Sequence, residues 1–233
     1  MNIVITGASK GMGKAMAEKF ASSENYLFIC SRNESALAET AREISKNSGG
    51  IIKYFATDLS EKSGVLAFYN WLSEQSVDVD ILINNAGEFI PGSIFNEEEG
   101  TLEKMINVNL FSAYHLTRKL LPEMMKNRQG HIFNICSIAS LNAYHNGGSY
   151  SISKFALMGF SKNLREEMKA YNIKVTAVYP GAVYTSSWEG SDIPAERIME
   201  AKDIAQMIYA ASLLSPQACV EDIVIRPVLG DLP

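Results

Sequence analysis

The sequence predicts an α/β fold in which a doubly wound parallel β-sheet is flanked by helices. Short β-rich runs recur from the first residues to nearly the last, and each is followed by a longer stretch with helical periodicity. Several runs, such as Ile81-Leu82-Ile83, are continuously apolar, which is typical of strands buried on both faces of a parallel sheet. A glycine-rich connection between the first strand and the first helix is the third indication, because such sheets bind ligands there. We expect a single domain over residues 1–233.

The individual elements follow from this alternation. We predict strands at residues 2–6, 26–30, 51–57, 81–84, 131–136, 173–179 and 222–226. We predict helices at residues 13–22, 34–47, 61–75, 102–126, 150–171 and 203–213. In the fifth helix an apolar stripe should pack on the sheet, formed by Ala156, Phe160, Leu164 and Met168. Residues 184–200 have no clear periodicity, and we expect a lid over the ligand site there.

Composition and charge exclude several classes of protein. The chain is 47% hydrophobic and 20% charged, which supplies enough apolar material for a full core. Its formal net charge is -5 and it contains no run of like charge, so neither nucleic acid nor a membrane surface is an expected partner.

The cysteines predict a reducing compartment. Cys30, Cys136 and Cys219 are widely spaced and contain no Cys-x-x-Cys pair, which argues against a disulfide framework and against a metal site. We expect them to be reduced, buried thiols. Apolar residues begin at Ile3, which leaves no room for a signal peptide, and we expect a cytoplasmic protein.

Residues 3–13 form the first candidate site. They read Ile-Val-Ile-Thr-Gly-Ala-Ser-Lys-Gly-Met-Gly, a strand that runs into three glycines and then into a helix. Glycine permits a tight turn and a close approach of the backbone to a pyrophosphate, and the helix N-terminus offers free N–H groups. A glycine turn without a ligand is the alternative, but the position after the first strand of a βαβ unit favours a dinucleotide site.

A second candidate site combines three reactive side chains. Tyr150 and Lys154 are four residues apart, hence neighbours on one helical face. Ser137 follows an apolar strand, at the carboxyl end where a doubly wound sheet presents its ligand groups. A fixed cation beside a tyrosine favours the phenolate, so Lys154 is expected to lower the pKa of Tyr150.

With these residues the sequence resembles the short-chain dehydrogenase/reductase family, whose members have a single-domain Rossmann fold. The motifs occur in order along nearly the whole chain: Thr6-Gly7-x-x-x-Gly11-x-Gly13, Asn84-Asn85-Ala86-Gly87, Asn107-Val108-Asn109, Ser137 with Tyr150-x-x-x-Lys154, and Pro180-Gly181-x-x-x-Thr185. The resemblance implies an oxidoreductase that transfers hydride between a nicotinamide cofactor and a small carbonyl or alcohol substrate. It also implies a homodimer or homotetramer, joined through the long helices of the fourth and fifth crossovers.

The resemblance also assigns catalytic roles. Tyr150 would be the general acid or base, and Ser137 would hydrogen-bond the substrate oxygen. Lys154 would lower the pKa of Tyr150 and hold the nicotinamide ribose. Asn109 would position a water that passes protons to the lysine, and its alternative role is to cap a local backbone group.

The cofactor site carried over from the family is larger. Its residues are Gly7, Ser9, Lys10, Gly11, Met12, Gly13, Ser31, Arg32, Asp58, Leu59, Asn85, Ala86, Gly87, Tyr150, Lys154, Pro180, Gly181, Val183 and Thr185. Asp58 could equally be the N-cap of the following helix.

The cofactor is predicted to be NADP(H). No acid ends the second strand, and Arg32 there can bind a 2′-phosphate through a charge-assisted fork. Lys10 adds a second cation within the glycine turn. The alternative is that Arg32 is a solvated surface residue.

Substrate contacts are expected from residues 89–93, residues 138–146 and the loop around Trp188. Tyr144, His145 and Trp188 suggest a compact, partly aromatic or heterocyclic carbonyl compound, although each could be a core or interface residue. For His145, a solvent-facing or substrate-orienting side chain is favoured over a catalytic one.

Residues 180–188 and 221–227 are similar to bacterial sepiapterin-reductase-like members of the family. The competing interpretations are a 3-oxoacyl-[acyl-carrier-protein] reductase, which needs a basic docking surface near the cleft, and a non-catalytic NADP-binding sensor.

Overall fold

A computed structural model describes residues 1–185 and 194–231 of the chain, and these residues contain a seven-stranded, entirely parallel sheet. The strands are β1 (Asn2–Thr6), β2 (Tyr26–Ser31), β3 (Ile51–Ala56), β4 (Ile81–Asn84), β5 (His131–Ile135), β6 (Lys174–Pro180) and β7 (Asp222–Ile225). The helices are α1 (Gly11–Phe20), α2 (Glu34–Ser48), α3 (Lys62–Glu74), α4 (Thr101–Ile106), α5 (Ser112–Asn127), α6 (Gly148–Met168) and α7 (Ala201–Ser212). The predicted fold class is confirmed.

The strand order β3-β2-β1-β4-β5-β6-β7 creates a crevice beside the first strand. The chain builds outward from β1 in one direction through β3 and then returns to add β4 on the other side of β1. Successive crossovers therefore diverge at the carboxyl ends of β1 and β4, which is where open α/β sheets bind ligands.

The core lies in two layers, one on each face of the sheet. Alternating residues of β1 show this directly, because Ile3 and Ile5 contact one layer and Val4 contacts the other. Helices α1, α2 and α7 cover the first face through Phe20, Leu37, Ile208 and their neighbours. Helices α3, α5 and α6 cover the second face through Phe68, Leu116, Leu164 and their neighbours.

Several predicted boundaries are wrong in ways that matter for the site. Helix α1 begins at Gly11 and helix α6 at Gly148, whereas the corresponding predicted helices begin two residues later, at residues 13 and 150. The helix predicted at residues 102–126 is not continuous, because residues Asn107–Phe111 form a π-helical turn between α4 and α5. Sequence periodicity does not detect one widened turn, yet such turns are frequent at functional sites.

Two packing predictions hold only in part. Leu164 and Met168 of the predicted stripe are buried, whereas Ala156 and Phe160 lie half-buried at the edge of the packed face. The three thiols are free, but Cys219 is exposed rather than buried. In the two described stretches, the model has no helix with the length and apolarity that a membrane span requires.

Candidate active site

The glycine turn joins β1 to α1 and leaves a bare stretch of backbone. Gly7 and Gly11 have φ angles of 64° and 56°, in the left-handed region that favours glycine. A Cβ at Gly13 would overlap the carbonyl oxygen of Gly7 and lie 2.7 Å from Nδ2 of Asn85. Gly13 therefore lets α1 pack closely on the turn, and the N-terminus of α1 at Gly11 offers free N–H groups that suit a phosphate.

Thr6 and Asn85 fix the turn to the end of β4. The Thr6 hydroxyl accepts hydrogen bonds from the backbone N–H groups of Asn85 and Ala86 at 2.9 and 2.8 Å. The Asn85 side chain donates to the carbonyl oxygens of Thr6 and Gly7 at 2.9 and 3.1 Å. Asn85 therefore supports the glycine turn directly, a contact that the sequence analysis did not anticipate.

The other predicted cofactor residues lie at the same edge of the sheet. Arg32 follows β2 with its side chain 59% exposed, and exposed Lys10 precedes α1. Ser9, Met12 and Ser31 lie in the glycine turn, in the first turn of α1 and at the last position of β2. Pro180 ends β6, followed by Gly181, Val183 and Thr185, and a Cβ at Gly11 would lie 3.2 Å from the Thr185 methyl carbon.

Asp58 and Leu59 follow β3, and the first of them does not cap α3. The Asp58 carboxylate accepts hydrogen bonds from the backbone N–H and the hydroxyl of Ser60 at 2.9 and 2.8 Å. The N-cap of α3 is Glu61, so the N-cap alternative for Asp58 is wrong. The Leu59 side chain is buried in the core, which leaves only its backbone for a ligand.

Tyr150 lies in the first turn of α6, and its ring makes a T-shaped contact with the ring of Phe89 at a centroid distance of 4.8 Å. Burial raises the pKa of Tyr150 to about 12, and a hydrogen bond with the Ser137 side chain offsets part of the rise. The direction is opposite to the expectation that Lys154 lowers this pKa. The loss of solvation on burial raises this pKa more than the hydrogen bond with Ser137 lowers it.

Ser137 follows β5 and is buried, with its Oγ accepting the backbone N–H of Ala139 at 3.1 Å. This hydrogen bond fixes the side chain in the short helical turn that follows the strand. Ser137 and Tyr150, predicted to act together, are neighbours in the structure.

Lys154 is 5% exposed and donates to the carbonyl oxygen of Ile135 at 2.8 Å. Its Nζ lies 5.8 Å from the centre of the Tyr150 ring. Burial lowers the pKa of Lys154 to about 8, against an opposing Coulombic effect from Cys136. The ammonium also lies next to the Asn-Asn-Ala-Gly segment, since a Cβ at Gly87 would be 3.6 Å from Nζ.

Asn109 lies in the π-helical turn and clamps the backbone of Glu88. Its Oδ1 accepts the Glu88 N–H at 2.8 Å, and its Nδ2 donates to the Glu88 carbonyl oxygen at 3.0 Å. Nδ2 also donates to the hydroxyl of Ser153 at 2.8 Å. The side chain thus binds backbone groups 21 residues away rather than the local group of the alternative role, and it connects the segment after β4 to α6.

Of the residues predicted to contact the substrate, some line a cavity, some are exposed to solvent and some lie outside the described residues. A cavity of about 560 Å³ includes Ile90, Pro91, Gly92, Ser93 and Asn146 in its lining. His145 is exposed and Tyr144 is 46% exposed, which agrees with a solvent-facing histidine. Trp188 and the middle of the predicted lid, residues 186–193, lie outside the described residues.

A family model described as short chain dehydrogenase matches residues 1–193. The chain belongs to the short-chain dehydrogenase family. This short-chain dehydrogenase is 32% identical to a sepiapterin reductase from Chlorobaculum tepidum over 238 residues, a match that covers 99% of this chain and 97% of the relative.

Solved structures of this family superpose on nearly the whole chain. A metagenomic short-chain oxidoreductase in complex with NADP matches with a TM-score of 0.85 and 29% identity, covering 98% of this chain and 97% of the other. L-sorbose reductase from Gluconobacter frateurii, complexed with NADPH and L-sorbose, matches with a TM-score of 0.89 and 25% identity, covering 97% and 95%.

Two acidic residues of this short-chain dehydrogenase were missed by the sequence analysis. Glu88 directly follows the Asn-Asn-Ala-Gly motif and carries ion pairs with Arg32 and Lys104, and its position after a recognised motif was a usable signal. Glu97 binds Ser149, 52 residues along the chain, and no local pattern indicates such a contact.

Proposed function

We propose that this protein is an NADP(H)-dependent oxidoreductase that reduces a small carbonyl compound to an alcohol, or catalyses the reverse reaction. The observation that carries the proposal is the convergence of Ser137, Tyr150 and the buried Lys154 ammonium beside the Asn-Asn-Ala-Gly segment. In the proposed single domain over residues 1–233, these side chains would act as an acid, a hydrogen-bonding hydroxyl and a cation close to the glycine turn.

The cofactor residues fit NADP(H). The bare backbone of Gly7, Gly11 and Gly13 suits a pyrophosphate, and Arg32 with Lys10 supplies cations for a 2′-phosphate. The solved relatives that carry NADP or NADPH support this choice. When bound, the reduced cofactor supplies the hydride for the carbonyl carbon. The remaining residues of the proposed cofactor site lie in the glycine turn and the start of α1, at the carboxyl ends of β2, β3, β4 and β6, and in α6.

Side chains of this protein carry out the proton transfer to the substrate oxygen. Ser137 donates a hydrogen bond to the substrate oxygen, where negative charge develops, and Tyr150 protonates that oxygen. A pKa of about 12 keeps the phenol protonated and thus ready to act as an acid at neutral pH. Lys154 holds the nicotinamide ribose and stabilises the phenolate left after proton transfer, and Asn109 positions the proton-relay water.

An NADPH-oxidation screen tests this function. Ketones, diketones and pterins with a carbonyl side chain are offered to the purified protein, with Tyr150→Phe measured beside it. Loss of the phenolic proton donor is expected to reduce kcat by about 100-fold or more while the NADPH dissociation constant changes by less than about twofold. Activity of Tyr150→Phe near the wild-type level would rule out the mechanism.

The same screen addresses the substrate and the cofactor. Similarity to a sepiapterin reductase makes pterins the first class to try. The acidic residues Glu97, Glu98 and Glu99 line the cavity near the site, so an acidic acyl-carrier protein is a poor fit.

The cofactor preference is tested by Arg32→Ala, which is expected to weaken NADPH binding and to leave NADH binding nearly unchanged.

We further propose a cytoplasmic homodimer or homotetramer with a lid at residues 184–200. Large apolar side chains around the long helices are 38–41% exposed, namely Phe111, Ile152 and Phe155, and they would be covered by a second subunit.

The two ends of the proposed lid lie side by side, because the Tyr184 N–H donates to the Met199 carbonyl oxygen at 2.8 Å. Free thiols suit the cytoplasm. Light scattering of the purified protein would count the subunits.

A further inference from the structure

Two segments next to the catalytic residues are tied together by hydrogen bonds. The backbone N–H of Gly92 donates to the Asn146 carbonyl oxygen at 3.1 Å. The hydroxyl of Ser93 donates to the Asn146 side-chain oxygen at 2.6 Å. The segment that follows β4 is therefore held against the residues that immediately precede α6.

Glu97 extends this connection into α6 itself. Its Oε1 accepts the backbone N–H of Ser149 at 2.8 Å, and its Oε2 accepts the Ser149 hydroxyl. Helix α6 begins at Gly148, and the residue before it, Gly147, has no side chain that could accept these N–H groups. First-turn N–H groups need acceptors, and a carboxylate is also favoured by the helix dipole. Glu97 thus supplies the cap that the local sequence lacks.

Gly148 makes room for this carboxylate. It has a φ angle of 27°, and a Cβ at this position would overlap Oε1 of Glu97 and crowd the carbonyl oxygen of Gly92. Any larger residue at position 148 would displace the carboxylate or the helix. The backbone of this turn is therefore shaped around Glu97.

The capped turn is the one that carries Tyr150. Tyr150 directly follows Ser149, which is 2% exposed, and the Tyr150 ring contacts Phe89. Phe89, at one end of the segment 89–97, thus contacts the Tyr150 ring, and Glu97, at the other end, binds the preceding residue Ser149. Both contacts restrict where the phenol can lie relative to Ser137.

We propose that Glu97 is a positioning residue for Tyr150, acting through its two hydrogen bonds to Ser149. The proposal rests on the proposed function, in which Tyr150 is the general acid. Glu97 fixes the first turn of α6 and thereby holds the phenol at the substrate oxygen. A displacement of about 1 Å in such a group can reduce the rate by about 100-fold.

Kinetics and hydrogen exchange on the full-length protein test this role. Glu97→Ala is expected to lower kcat by about 10- to 100-fold, with a smaller effect on KM and an NADPH dissociation constant within about twofold of wild type. Amide exchange of the peptide covering residues 146–152 should accelerate. Glu97→Gln should restore most of the activity, because its amide oxygen can still accept the Ser149 N–H.

Glu103→Ala, which removes an exposed carboxylate from α4, is the matched control and should keep wild-type kcat. Faster exchange in Glu97→Ala without a loss of kcat would overturn the positioning role, as would unchanged exchange. Equal activity of wild type and Tyr150→Phe would instead overturn the proposed function, and the role of Glu97 would fall with it.

Discussion

Nη1 of Arg32 lies 4.0 Å from Oε2 of Glu88, so the side chains that follow β2 and β4 meet across the end of β1. Glu88 also accepts a hydrogen bond from Nζ of Lys104 at 3.0 Å, and Asn109 clamps its backbone on both sides. The carboxylate is thus held in place opposite the guanidinium that we expect to bind a 2′-phosphate. The two anions would compete for Arg32.

Glu88→Gln is therefore expected to strengthen NADPH binding. A partly exposed ion pair is worth about 0.2–1 kcal/mol, so the dissociation constant should fall by about 1.4- to fivefold. Titration of NADPH by calorimetry at low ionic strength measures the change. The gain should shrink in an Arg32→Ala background, and weaker NADPH binding by Glu88→Gln would contradict the competition.

The buried Lys154 ammonium predicts a pH-dependent difference in stability. Its pKa is lowered from 10.5 to about 8, so between these values the unfolded chain binds more protons and the folded state gains stability as pH rises. Below pH 8 the cost of burying the charge is fully present, at most about 3 kcal/mol.

Lys154→Met removes that cost together with the proposed catalytic role of Lys154. The variant should gain stability relative to wild type at pH 7, and the gain should be smaller by about 2 kcal/mol at pH 10. Urea unfolding of both proteins at the two pH values provides the comparison. An identical difference at pH 7 and pH 10 would mean that Lys154 titrates normally.

Substitution of alanine for glycine should have opposite effects at two helical positions, Gly13 and Gly159. At Gly13 a Cβ would collide with the Gly7 carbonyl oxygen, so Gly13→Ala should distort the turn and abolish NADPH binding. At Gly159 no atom lies within 4 Å of the added Cβ, so Gly159→Ala should stabilise the protein by about 0.5–1 kcal/mol. Thermal unfolding and NADPH titration separate the two, and retained binding by Gly13→Ala would refute the predicted close approach.

Arg165 joins α6 to the ends of β6 and β7. It is 7% exposed, donates to the Val175 carbonyl oxygen at 3.0 Å and forms an ion pair with Asp222 at 2.9 Å. Arg165→Met should cost about 1–3 kcal/mol in the free energy of unfolding, because it removes the Arg165 donor from the buried Val175 carbonyl oxygen.

The matched control is Arg42→Met, which breaks a surface pair with Glu39 at 3.7 Å. Its cost should stay below about 0.5 kcal/mol in the same chemical-denaturation assay. Similar losses for the two variants would show that the Arg165 contacts are no stronger than surface contacts.

The strands and their parallel arrangement were readable from the chain, because each depends on a short pattern. Apolar runs located β1 and β4, and the spacing of Tyr150 and Lys154 placed both on one helical face. The π-helical turn around Asn109 was not readable, since widening one turn changes no periodicity. The cap on α6 was also hidden, because Glu97 lies far from Ser149 in the chain.

By itself the sequence determined the fold and the family, since periodicity, glycine positions and motif order are local properties. Only the tertiary structure decided how the site groups affect one another. The pKa of Tyr150 rises instead of falling because burial outweighs the hydrogen bond with Ser137, and burial arises only when distant segments pack together. The same packing places Glu88 opposite Arg32, where its charge acts on the cofactor site through space.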